Sequence, residues 1–184
     1  MSVAGRLLVA TPPMDDPNFE RAVILMLQHD SDGAFGLVIS RPADDVSLVE
    51  DGTLNAWLAY ASAPAALFEG GPVQQNSVIG LARFRDPAER SWTSEVALGL
   101  HTVDLDSDST NAADCEFLRL FVGYSGWGPL QLEGEIAAEH WFVVEAQQMD
   151  AFSNQPASLW RRVLERDPAH RDWVHSFPDD PGLN

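Results

Sequence analysis

The chain has 184 residues, of which 45% are hydrophobic and 9% aromatic, enough for one globular core that needs no disulfide or metal staple. Its 28 acidic residues outweigh 11 basic ones, giving a net charge of −17, and every basic residue is Arg. The absence of Lys excludes a Schiff-base lysine, a phosphate-loop lysine and a Ser–Lys catalytic pair, and the scattered arginines argue against direct DNA contact, which needs cations clustered on one face.

In chain order, Arg6–Ala10 is a short apolar run stopped by Pro12 and Pro13, and reads as a strand. Ala22–Leu27 and Phe35–Ile39 are further apolar runs joined by the polar, Gly-ended stretch Gln28–Gly33, which predicts a buried hairpin. Val46–Leu54 is expected to be a loop. Leu54, Trp57, Leu58 and Ala61 recur at helical spacing. Leu67–Glu69, Val78–Phe84, Val96–Leu100 and Leu118–Tyr124 read as strands, Val103–Asn111 as an acidic loop and Ala112–Arg119 as a short helix. Pro129 suits the first turn of a helix, with Leu132 and Ile136 marking its buried face. Trp141–Glu145 is a strand, and Leu159, Val163 and Leu164 mark a last helix. Strands outnumber helices and come in runs, so the pattern favours a mixed α+β sheet over a doubly wound fold. Residues 1–166 form one expected domain. Residues 167–184 form a polar tail whose Trp173, Val174 and Phe177 predict partial docking.

The single Cys115 excludes an internal disulfide and a Cys-rich zinc site. The stretch Met1–Arg6 has no signal-peptide pattern, and the most apolar run, Ala56–Phe68, is broken by Ser62 and Pro64. These features lead us to expect a cytoplasmic protein with no membrane association. No cofactor or metal motif is present. Asp104–Asp108 imitates the start of a calcium loop, but its sixth position is Ser109 and its twelfth Cys115. No Gly-x-Ser-x-Gly elbow exists, and Asp114 and Glu116 beside Cys115 would blunt its thiol.

Three places carry unusual chemistry. His29 closes a buried strand beside Asp30, where a strand end can serve acid–base work. Gly70 and Gly71 follow a strand, where their backbone can approach a ligand or turn tightly. From Gly123 to Ile136 three glycines surround Tyr124 and Trp127, while Gln131 and Glu135, four apart, share one helix face. Gly134 inside that helix costs about 1 kcal/mol relative to Ala, which suggests close packing there.

Taken together, Gly5–Ala10 with Pro12 and Met14, Phe19–Val23 leading to His29, Gly33–Pro42, Gly70–Val73 and Gly123–Ile136 resemble the YqgE/AlgH family of small bacterial proteins, in order and in spacing. Trp141 and Trp160 fall where the family has tryptophans. Ser40 departs from the usual Asn, and Leu130 stands where Gly is common. The resemblance implies an α+β fold with a bent, bifurcated sheet forming a partial barrel and a few packed helices. Its members are often labelled transcriptional regulators, a label that fixes no mechanism.

The leading expectation is a non-catalytic regulatory or binding module for a small molecule or a protein partner, with no catalytic or metal residues assigned. Its candidate binding residues are His29, Arg41, Gly70, Gly71, Tyr124, Trp127, Gln131 and Glu135. One alternative is a hydrolase-like enzyme using His29 with Glu133 or Glu135. Another is a DNA-binding regulator reading through the Arg161, Arg162 and Arg166 helix.

Overall fold

A computed structural model describes residues 2–43, 52–86 and 88–176. The expected loop at 46–54 falls largely outside these residues, as does Phe177. Among the described residues nine strands form one curled, half-barrel sheet. They are β1 (Arg6–Ala10), β2 (Val23–Asp30), β3 (Gly33–Val38), β4 (Leu67–Glu69), β5 (Val73–Phe84), β6 (Thr93–Glu95), β7 (His101–Val103), β8 (Cys115–Trp127) and β9 (Trp141–Glu145). Eight run in the order β6-β7-β5-β8-β3-β2-β1-β9, and β4 joins β8 off this path. The helices are α1 (Gly52–Leu58), α2 (Gln131–Ala137), α3 (Leu159–Arg166) and α4 (Arg171–Ser176). The fold is α+β, as the strand-rich sequence predicts.

The long strand β8 splits the sheet. Its N-terminal part pairs antiparallel with β5, Leu120–Val122 pair in parallel with β4, and Ser125–Trp127 pair with β3. Continuous apolar runs form the central strands because both faces are covered. Leu7, Val9, Val23 and Leu25 enter a first core roofed by α3, while Leu8, Ala10, Ile24 and Met26 enter a second beneath α2. A third core gathers Leu54 and Trp57 of α1 with Leu67, Leu118 and Leu120. From the tail, Val174 of α4 is fully buried in the first core.

Three local expectations are corrected. Val96–Leu100 is not a strand but the connection between β6 and β7, with Leu98 (φ 58°) and Gly99 (φ 67°) left-handed. Ala112–Arg119 is not a helix. A 3-10 turn over Ser109–Asp114, capped by the Asp108 carboxylate on the Thr110 N–H, gives way at Cys115 to β8. There, pairing with β5 overrides local helical preference. Pro129 precedes the helix rather than entering it, since Leu130 occupies the N-cap and α2 starts at Gln131.

Candidate functional site

A β-bulge decides where His29 points. In β2, Met26 opposes Gly36 of β3 but Gln28 opposes Phe35, so one extra residue lies between them. Up to Leu27 the odd-numbered side chains of β2 enter the first core. Beyond the bulge the faces exchange, as any one-residue slip requires. His29, opposite Ala34, turns toward the second core, while Gln28 shares the face of Phe35.

There the His29 side chain is only 4% exposed and makes two hydrogen bonds. The Val3 N–H donates to Nδ1 at 3.1 Å, and Nε2 meets Glu133 Oε1 at 3.0 Å. Because Nδ1 accepts, the ring proton sits on Nε2 and is donated to the carboxylate. Its own backbone N–H, opposed by desolvation and aided by His29, holds the Glu133 carboxyl below the usual carboxylate range. The histidine and carboxylate of the enzyme alternative do converge, but neither ring nitrogen is left to face a substrate.

The second carboxylate considered, Glu135, is more fully committed. Its Oε2 accepts from the indole N–H of Trp127 (2.9 Å) and of Trp141 (2.8 Å), and its Oε1 accepts from Gln131 Nε2 (3.0 Å). Gln131 Oε1 in turn accepts from the Gly128 N–H. Phe19 stacks on Trp127 and meets Trp141 edge-on. Gln131 and Glu135 thus share a face of α2 as their spacing predicts, and that face staples the helix to the sheet. Leu130, 78% exposed, enters the helix at φ 60°, a left-handed conformation that favours Gly. A Cβ on Gly134 would have nothing within 4 Å, so this glycine does not mark close packing.

The other candidates lie elsewhere. The Arg41 guanidinium donates to the carbonyls of Asn18 (2.8 Å) and Glu20 (3.0 Å) and holds that loop in place. Gly70 and Gly71 lie where the chain crosses β8. A Cβ on Gly70 would overlap the Gly123 carbonyl oxygen, and one on Gly71 (φ 148°) would overlap the Tyr124 carbonyl. Gly123 itself is left-handed at φ 64°. Ser125 Oγ donates to the Gly70 carbonyl at 3.2 Å. These glycines admit protein backbone, and Ser40, whose Oγ accepts from the Val23 N–H, likewise serves the sheet.

On the opposite side of the β2–β3 hairpin from His29 opens a cleft of about 590 Å³. Tyr124 and Phe35, edge to face with ring centroids 5.0 Å apart, line it together with Val73 and Trp127. Gln28, Asp30 and Asp32 form its polar wall. Asp30 accepts from Gln28 Nε2 (2.6 Å) and from the Asp32 N–H (2.8 Å), and these bonds lower its carboxyl pKa. The sequence-derived candidates therefore separate into three groups. Tyr124 lines the cleft, and Trp127 borders it while its indole turns into the second core and donates to Glu135. His29, Gln131 and Glu135 belong with α2. Arg41, Gly70 and Gly71 stand apart from both. Phe35, Gln28, Asp30 and Asp32 were missed, although the polar hairpin turn was the visible signal.

Among the described residues no cluster of His, Cys, Asp and Glu could hold a metal ion, and no helix is long and apolar enough to cross a membrane. Burial, opposed by Arg90 and reinforced by Asp114, pushes the Cys115 thiol up to about 11, which makes it a poor nucleophile. In α3, Arg166 is paired with Asp150 and Arg161 with Glu165.

An AlgH-like family model matches residues 7–170. A UPF0301 protein of Streptomyces avermitilis is 44% identical, over 100% of this chain and 96% of its own length. One from Mycobacterium tuberculosis is 36% identical over 98% and 90%. A crystal structure of a Corynebacterium diphtheriae protein superposes with a TM-score of 0.85 at 30% identity, covering 96% of this chain and 93% of the other. The solution structure of AlgH from Pseudomonas aeruginosa gives 0.66 at 28% identity, covering 90% of each. With the same fold and near end-to-end coverage, the chain belongs to the AlgH-like family.

Proposed function

We propose that this protein is a non-catalytic binding module, and that its recognition surface is the cleft between the β2–β3 hairpin end and β8. The observation that carries this reading is that His29, the one histidine placed at the candidate site, and Glu135 are committed to structural bonds. Both nitrogens of His29 and both oxygens of Glu135 are engaged in bonds that hold the fold together. General acid–base catalysis needs such a group within hydrogen-bond reach of a substrate proton. The open cleft instead offers aromatic faces from Tyr124 and Phe35 beneath the carboxylates of Asp30 and Asp32.

Aromatic faces under a carboxylate rim suit a cationic group, through cation–π contact and ion pairing. The net charge of −17 steers a basic partner toward the protein. The occupant is therefore a basic segment of a protein partner. Native mass spectrometry of the protein purified from its own cells at low ionic strength tests this. The wild type should retain a partner that is lost in Asp32→Asn and Tyr124→Ala and released at about 1 M salt, where the screening length is about 3 Å. A retained mass that is a small molecule, or a partner held equally by the variants, would overturn it.

A further inference from the structure

A second cleft, of about 420 Å³, lies between α3 and the segment 147–154 and shares no residue with the first. Its chemistry is opposite in sign. Arg119 of β8 lies behind it, 1% exposed, with its guanidinium donating to the carbonyls of Ala63 (2.9 Å) and Ser153 (3.1 Å), both cleft residues, and of Ala151 (3.0 Å). The guanidinium also stacks over Phe68 at 4.1 Å, and its buried Nε has no hydrogen-bond partner.

On the cleft wall, Arg162 spends Nη2 on Ser153 Oγ and the Gln155 carbonyl. Arg166 grips both oxygens of Asp150 at 2.6 and 2.5 Å, so that pair is neutral. Among the described residues no carboxylate forms an ion pair with Arg119 or Arg162. Two uncompensated cations thus adjoin one cleft in a chain of charge −17. Burial pushes Arg119 down to about 10, although its guanidinium is held by three backbone carbonyls.

Beside the polar Ser62, Gln147 and Asn154, the cleft has an apolar side: Phe117 stacked on Phe152 (5.4 Å), Leu159 and the half-exposed Met149. We propose that this cleft binds a small organic carboxylate, its anion on Arg162 in the field of Arg119 and its apolar body against Phe117, Phe152 and Met149. A guanidinium matches a carboxylate in charge and geometry, and such a bond is stronger out of water. The volume lies in the range of small-molecule sites.

The test is an NMR titration of the full chain with phenylacetate, which carries both halves of the expected ligand. Acetate and inorganic phosphate serve as separate arms. Saturable shifts should centre on Met149, Ser153 and Leu159. Phenylacetate should bind more tightly than acetate or phosphate, and Arg162→Gln should weaken it about tenfold while Arg161→Gln leaves it unchanged. Loss of one charge-assisted hydrogen bond has that scale. Equal or tighter binding of phosphate, shifts centred elsewhere, or unaltered affinity in Arg162→Gln would overturn the proposal. The shift map on the wild-type protein decides the location even if Arg162→Gln fails to fold.

Discussion

Among the candidate side chains, Glu135 has the most hydrogen-bond donors gathered on it. Two indole N–H groups converge on one of its oxygens, and the indoles belong to Trp127 and Trp141, both buried. Truncating Glu135 to Ala leaves two donors without an acceptor. Each unpaired donor costs roughly 1–3 kcal/mol. Glu135→Ala should therefore lose about 2–6 kcal/mol of stability, read as a lower urea midpoint at constant slope. Glu135→Gln keeps an acceptor oxygen and should lose less. An unchanged midpoint in Glu135→Ala would refute the staple role. The shared face of Gln131 and Glu135 was legible from their spacing of four, because a helix repeats every 3.6 residues. Their partners were not, since a tryptophan six or eight residues away meets the carboxylate only when β8, α2 and β9 are packed together.

At the scale of elements, α2 shows where local preference and tertiary demand conflict. Leu130 begins it in a left-handed conformation that costs a non-glycine residue roughly 1–2 kcal/mol. Gly134 sits in its middle with open space around it, at a propensity cost of about 1 kcal/mol. Leu130→Gly and Gly134→Ala should each raise stability by up to about 1 kcal/mol in thermal unfolding. Gly71→Ala should do the opposite and yield little folded protein. Its φ of 148° is unsuited to a side chain, and a Cβ there would collide with the backbone of β8. A stable Gly71→Ala would show that the crossing can yield. The central strands were legible because continuous apolar runs have one reading when both faces are buried. The bulge in β2 was not. It adds one residue on one strand only, a property of the pairing with β3, and so His29 takes a face that alternation along the sequence does not indicate.

At the scale of the whole molecule, charge decides which partners can approach. Non-specific binding to DNA rests on neutralising several phosphates with clustered cations, and eleven arginines stand against 28 carboxylates. The helix with the most arginines, α3, buries Leu159, Trp160, Val163 and Leu164 against the first core and pairs Arg166 and Arg161 with carboxylates. No retarded band is therefore expected with duplex DNA even at low ionic strength. A shift that weakens steeply with salt would overturn that expectation.

By itself the sequence determined the strand-rich α+β class, the family through its five spaced segments, the central apolar strands and the absence of lysine chemistry. These depend on composition, on local periodicity and on which residues occur, all of which survive in a one-dimensional string. Tertiary structure alone decided that His29 and Glu135 are staples, that the Gly70–Gly71 turn admits backbone, and that Tyr124 and Phe35 line a cleft. It also decided that Arg119 and Arg162 adjoin one cleft with no ion-pair partner of their own among the described residues. Each of these depends on contacts between residues far apart in the chain, and the energy of a hydrogen bond or a buried charge is set by its neighbours in space.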